Sequence, residues 1–300
     1  LLFVLALLFA VPCFAEGHLD RFPAFASTFV PARMVTVWTP EGYDPKGPPL
    51  PVLYMQDGEN LYEPSRSLSH ADWEVDKTVS RLLREGKIPP VIIVGIESGA
   101  ARGREYLPRK LYDDLPEATR EQVRASWGGE PTSDAYLRFL VTEVKPFVEA
   151  HYAVRTEPRS SFIMGSSMGG LISLYAQAEY PEIFAGSASL SMHFLLGEPW
   201  RAMIKVDPAQ LEPAVIGAFE RYLTQARLPP GQHRIYVDRG DQTLDAYYAP
   251  YLPDFDRLMQ RLGWIEGSTY QSMLFPGTAH TESAWAARLP TALVFLLSAP

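Results

Sequence analysis

Short runs of Val, Ile, Leu, Met and Tyr recur along the chain. Between them lie longer segments in which apolar residues return every three or four positions. A short, mainly apolar run of three to six residues bounded by turn formers reads as a strand buried on both faces, and the three-to-four spacing reads as an amphipathic helix. Strands are therefore expected at Met34–Trp38, Val52–Met55, Val91–Ile96, Phe162–Met164, Ala185–Leu190, Ile235–Val237 and Tyr270–Phe275. Prolines bracket the second and third (Pro49, Pro51; Pro89, Pro90), as they should where chain enters a strand that tolerates none inside. Helices are expected at Trp73–Arg84 with Asp72 as cap, and at Ala135–Val148 with a kink at Pro146. Further helices are expected from Leu171 to Pro181 and at Val215–Gln225, Pro253–Leu262 and Ser283–Leu297. The alternation predicts a mostly parallel sheet with helices on both faces. No internal repeat or low-complexity linker interrupts it.

Residues 102–134 break the pattern. The stretch is polar and carries Pro108, Pro116, Gly128, Gly129 and Pro131, so it reads as an irregular, lid-like insertion bordering a pocket. Shortening it is expected to change substrate preference more than stability. With that insertion included, 16–300 reads as one domain. Across 300 residues, 47% apolar and 21% charged, there is ample material for a large core. The 27 Lys and Arg against 35 Asp and Glu leave a net charge of −8, which argues against nucleic acid or an anionic membrane as partner.

Leu1–Ala15 (LLFVLALLFAVPCFA) carries no charge and ends with small residues at its third-last and last positions. It is short for a membrane span of about 20 residues and reads as a signal peptide cleaved after Ala15. The protein is then expected in the periplasm or outside the cell, with no stable membrane anchor after cleavage. The single Cys, Cys13, leaves with the signal, so the mature chain would hold no disulfide.

The chemistry concentrates at Phe162-Ile163-Met164 followed by Gly165-Ser166-Ser167-Met168-Gly169-Gly170 and then an apolar helical run. A Gly-x-Ser-x-Gly motif on a strand-turn-helix junction forces the middle residue into a strained turn with its hydroxyl exposed, which makes Ser167 the candidate nucleophile and Ser166 only its neighbour. A base and an orienting acid follow such a serine in the order acid, then histidine. His280 is the only histidine after His233 and stands in the loop beyond the last expected strand. His193, at the end of the strand before it, is a weaker candidate that would line the pocket. Oxyanion-hole N–H groups are expected from Met168, next to the nucleophile, and from Glu59 in the loop Gln56-Asp57-Gly58-Glu59-Asn60-Leu61. For the acid, Asp238, Asp241 and Asp245 all lie after the strand Ile235–Val237, and chain order does not choose among them. Asp238 suits an Asx-type brace of the following turn, Asp241 suits a turn equally well, and Asp245 has Leu244 beside it to bury a carboxylate.

On the segments YMQDGENLYEP (54–64), VIIVGIESGAARGREYLP (91–108), FIMGSSMGGLISLY (162–175) and FPGTAHTESAWAARLPTALVFL (275–296), the chain resembles the putative esterase family of α/β-hydrolases. That family includes acetylxylan and feruloyl esterases, enterochelin esterase and S-formylglutathione hydrolase. The resemblance implies an α/β-hydrolase fold and hydrolysis of an ester through an acyl-enzyme, without cofactor or metal. Similar esterases carry a Gly-Thr-x-Thr-Leu-Asp run where this chain has Gly240 to Asp245. It departs from that run at Asp241, so the resemblance assigns the acid to Asp245. The expected partner is a small-molecule or saccharide ester. Tyr54, Tyr62, Trp73, Tyr106, Tyr112 and Trp127 are compatible with stacking on sugar rings, although core packing suits most of them individually. A siderophore esterase is the alternative, for which a net charge of −8 offers no basic cradle. A hydrolase-fold binding protein without turnover is the alternative outside the enzymes.

Overall fold

The computed structural model describes residues 17–197 and 208–298, so the expected signal peptide and Cys13 lie outside the described residues. Eight strands form one sheet: β1 (His18–Phe25), β2 (Arg33–Thr39), β3 (Val52–Gln56), β4 (Ile92–Ile96), β5 (Ser161–Ser166), β6 (Phe184–Leu190), β7 (Arg234–Arg239) and β8 (Tyr270–Leu274), in the order β1-β2-β4-β3-β5-β6-β7-β8. β1 and β2 are antiparallel to their neighbours, and every pair from β4 to β8 is parallel. Sequential strands run outward from β3 in one direction and from β5 in the other. The strand order therefore reverses between β3 and β5, and the carboxyl ends of strands at such a switch point are where ligands bind in open α/β sheets.

The alternation of side chains along each strand feeds two cores. Val52 and Tyr54 of β3 join one, with Ile163, Ile235 and Val237, while Leu53 and Met55 join the other, with Ile93, Met164 and Tyr236. Helices α1 (Val75–Arg84) and α10 (Glu282–Leu297) cover the second face. The first face is covered by α2 (Arg102–Tyr106), α3 (Arg109–Asp113), α4 (Glu117–Trp127), α5 (Ser133–Phe139), α6 (Lys145–His151), α7 (Met168–Glu179), α8 (Pro208–Gln225) and α9 (Tyr251–Arg261). This is the α/β-hydrolase fold. Among the described residues no helix is long and apolar enough to cross a membrane.

Three local readings change. α1 begins at Val75 rather than Trp73, because the Trp73 N–H is bonded to the Asn60 carbonyl at 2.8 Å and Glu74 sits in the left-handed region at φ 49°. The kink expected at Pro146 takes the form of a π turn, Leu140–Val144, between α5 and α6. Pro146 lacks an N–H and crowds the carbonyl four residues before it, and the turn widens so that Lys145 N–H bonds back to Leu140. The stretch 102–134 is not irregular but helical: α2, α3, α4 and the short links between them bury Tyr106, Leu107, Leu111, Tyr112, Leu115 and Val123. Apart from the buried Glu105, its charged residues stay at least partly exposed, so shortening it would strip side chains from the core.

α2 is also pinned from below. The Arg33 guanidinium donates to both oxygens of Glu105 at 2.8 Å each, and both side chains are buried. Removing one partner leaves a buried charge without its counter-ion, so Arg33→Ala is expected to lower unfolding free energy by about 3–5 kcal/mol. Urea denaturation at neutral pH measures this, and a loss below about 1 kcal/mol would place the pair among weak surface bridges instead.

Candidate functional site

The Gly-x-Ser-x-Gly turn joins β5 to α7 and puts Ser167 at φ 54° and ψ −123°, a conformation that L side chains rarely adopt. Glycine is required on either side. A Cβ on Gly165 would stand 2.6 Å from the carbonyl carbon of Gly169, and one on Gly169 would stand 2.9 Å from Asp57 Oδ2. The turn is held by Ser167 N–H donating to the Leu190 carbonyl at 2.8 Å. Met168 opens α7, and its N–H belongs to the helix's unsatisfied first turn. Ser166 remains the last residue of the strand.

His280 follows β8, and its Nδ1 lies 2.6 Å from Asp245 Oδ1. A carboxylate only accepts, so Nδ1 carries the proton and Nε2 of the neutral ring is left as a base. Asp245 stays ionised: burial pushes its carboxyl up, but bonds from His280, Ser191 and the Gly240 N–H outweigh that and leave it below the usual carboxylate range. Its Oδ2 accepts from Ser191 Oγ and from Gly240 N–H, both at 2.6 Å, with Arg288 Nη2 at 3.5 Å. Ser191 Oγ in turn accepts from Trp285 Nε1 at 2.9 Å and from Arg288. With both acceptances used, its single proton is committed to Asp245.

The other two carboxylates do different work. Asp241 is half-buried and accepts from the Gly277 N–H at 2.8 Å, tying the β7 loop to the β8 loop. Asp238 does not make the local Asx turn. It accepts from the Ser191 N–H at 2.9 Å and from Tyr236 at 3.0 Å, and it faces Arg288 Nε at 3.3 Å. Burial raises its carboxyl to about 6 despite Arg288. A carboxyl raised in the folded state holds an extra proton there, so stability should fall as pH rises from about 4 to about 6. Asp238→Asn is expected to flatten that slope, read from urea midpoints at pH 4, 5, 6 and 7; an unchanged slope would exclude Asp238 as its source.

In the loop after β3, Asp57 is left-handed at φ 56° and Gly58–Asn60 forms a single 3-10 turn. Asp57 accepts from Arg102 Nε at 2.6 Å and Nη2 at 2.8 Å, while the guanidinium lies 5.1 Å from the Tyr106 ring centre. Burial opposes the charge on Arg102, but the Asp57 carboxylate outweighs it and raises the pKa. The Glu59 side chain turns away to Ser98, accepting its N–H at 2.9 Å and its hydroxyl. Burial first, and Asp57 second, raise the Glu59 carboxyl. Of the six aromatic residues compatible with sugar stacking, Tyr54, Trp73, Tyr106 and Tyr112 are core residues.

His193 is buried, and burial lowers its pKa to about 3, with the fields of His280 and Arg102 adding to the effect. Its N–H donates to the Ser167 carbonyl at 3.2 Å, and its ring meets Tyr248. Tyr248 packs edge-on to His280, ring centres 5.9 Å apart, and its hydroxyl neighbours that of Ser167. Ser167, His280 and Asp245 thus converge around Tyr248, which no pattern in the sequence singled out. Arg288 was legible in principle. It sits three residues after Trp285 and one before Leu289, a cation on the apolar stripe of α10. Among the described residues no cluster of three or more His, Cys, Asp or Glu could hold a metal ion.

The chain is 28% identical over 159 residues to "Uncharacterized protein YbbA" of Bacillus subtilis (strain 168), a match covering 53% of this chain and 56% of that one. It therefore spans little more than half of that relative. In structure it is similar to a ferulic acid esterase (TM-score 0.64, 22% identity, 93% of this chain and 97% of that one). It is also similar to an IroE-like serine hydrolase from Shewanella oneidensis (TM-score 0.67, 17% identity, 92% and 79%). At these identities the likeness is one of fold. Residues 31–296, which include β2 to β8, the Ser167 elbow and the Asp245–His280 pair, match the family described as "Putative esterase", and the chain belongs to that family of α/β-hydrolases.

Proposed function

We propose that the protein is a serine carboxylic ester hydrolase. The observation that carries this reading is the strained Ser167 elbow, joined through Tyr248 to a histidine whose tautomer is set by Asp245 at 2.6 Å. His280 Nε2 takes the Ser167 proton as Oγ attacks the acyl carbon. The Met168 and Glu59 N–H groups receive the oxyanion, the alcohol leaves with the proton from His280, and water then releases the acid. Asp245, held by Ser191 and Gly240, stays ionised and steadies the imidazolium without taking its proton.

A neutral ester, with acylated carbohydrate the favoured class, suits the site better than a siderophore. The net charge is −8, and the Arg102 guanidinium beside the site is already engaged twice by Asp57, poor provision for a triply anionic ferric catecholate. Release of p-nitrophenol from p-nitrophenyl acetate tests turnover against a binding protein without it. A panel of acetylated xylan, feruloyl sugars and enterochelin tests the class, with the first two expected to be cleaved faster. The uncharged stretch Leu1–Ala15 supports export to the periplasm or beyond. Amino-terminal sequencing of exported protein should then begin at Glu16.

A further inference from the structure

The His193–Tyr248 pair has a fixed hydrogen-bond polarity. His193 Nε2 lies 2.9 Å from the Gly197 carbonyl and Nδ1 lies 2.8 Å from the Tyr248 hydroxyl. A carbonyl can only accept, so Nε2 carries the proton of the neutral ring, Nδ1 is bare, and Tyr248 must donate to it. The Tyr248 oxygen therefore enters the site with its lone pairs alone, beside the Ser167 hydroxyl, on a ring packed against that of His280. In the free enzyme Ser167 O–H can serve this buried acceptor. Once Ser167 is acylated its oxygen has no hydrogen to give, and an acceptor left without a donor is unfavourable.

We propose that Tyr248 is a further catalytic residue, which accepts the second hydrogen of the water that deacylates Ser167 while His280 Nε2 accepts the first. This rests on the acyl-enzyme reading above. The water O–H facing His280 breaks as its oxygen bonds the acyl carbon. Collapse of the tetrahedral intermediate breaks the bond to Ser167 Oγ, which takes the proton back from His280. Tyr248 and His193 exchange no proton and only orient the water. An alcohol has one hydroxyl hydrogen, which His280 claims, so it cannot satisfy both acceptors. Tyr248 thus favours hydrolysis over acyl transfer to alcohols.

The test is the ratio of methyl acetate to acetate formed from p-nitrophenyl acetate in buffer containing methanol. That ratio depends only on how the acyl-enzyme partitions. Tyr248→Phe is expected to raise it about tenfold, the worth of one well-placed hydrogen bond. His193→Leu frees the Tyr248 proton to point at the water and should raise the ratio similarly. His193→Gln offers an amide oxygen to Tyr248 and an amide N–H to Gly197, and should restore the wild-type ratio. The His193 variants carry the test even if Tyr248→Phe does not fold. A ratio unchanged in the variants, or raised equally by His193→Gln, would overturn the proposal. Absence of fluorophosphonate labelling at Ser167 in the wild type would instead overturn the acyl-enzyme reading itself.

Discussion

Replacement of Ser167 by alanine is expected to lower kcat for p-nitrophenyl acetate by roughly a millionfold, the scale on which loss of a serine nucleophile acts. Labelling by a fluorophosphonate should disappear with it. The fold should survive, since the elbow is held by backbone bonds to Leu190 and His193 rather than by the hydroxyl. Ser166→Ala should stay within a few-fold of wild type, because Ser166 ends β5 and only the next residue has the elbow conformation. If Ser166→Ala were the dead variant and Ser167→Ala the active one, the nucleophile would have to be reassigned.

Asp245→Asn is expected to lower kcat by about 10⁴-fold, with the far-UV spectrum unchanged. An amide facing His280 can present an N–H to Nδ1, which favours the tautomer with the proton on Nε2, where the base is needed. It also removes the charge that steadies the imidazolium. Asp241→Asn should remain near wild type, since its carboxylate accepts from the Gly277 N–H and the Gln242 amide rather than from His280. Near-normal turnover in Asp245→Asn together with a collapsed Asp241→Asn would transfer the role to Asp241.

Where the chain alternates or repeats its apolar positions without interruption, the fold was readable from residues alone. β3 and β4 are short apolar runs buried on both faces, and bracketing prolines mark their start. β1 escaped because it is an edge strand: none of its eight residues is fully buried, and its pairing with β2 is interrupted between Phe22 and Phe25. α2 to α4 escaped because proline and glycine separate helices of five to eleven residues, each too short to show a full stripe. At the site, Ser167 and His280 could be named because a motif or chain order confines them. Choosing among Asp238, Asp241 and Asp245 needs the path of the chain after β7, which decides which carboxylate turns toward the β8 loop. Tyr248 and Ser191 could not be named, because their significance lies in contacts between residues more than 50 positions apart.

The backbone of Ser167 has an implication beyond the reaction. A non-glycine residue held at φ 54° and ψ −123° carries strain on the order of 1–3 kcal/mol, and glycine would relieve much of it. Selection for stability alone would therefore replace the serine. Its retention would mark a position where the chain gives up thermal resilience for turnover, and the most heat-resistant versions of this protein made by substitution at the elbow should be those that have stopped being enzymes.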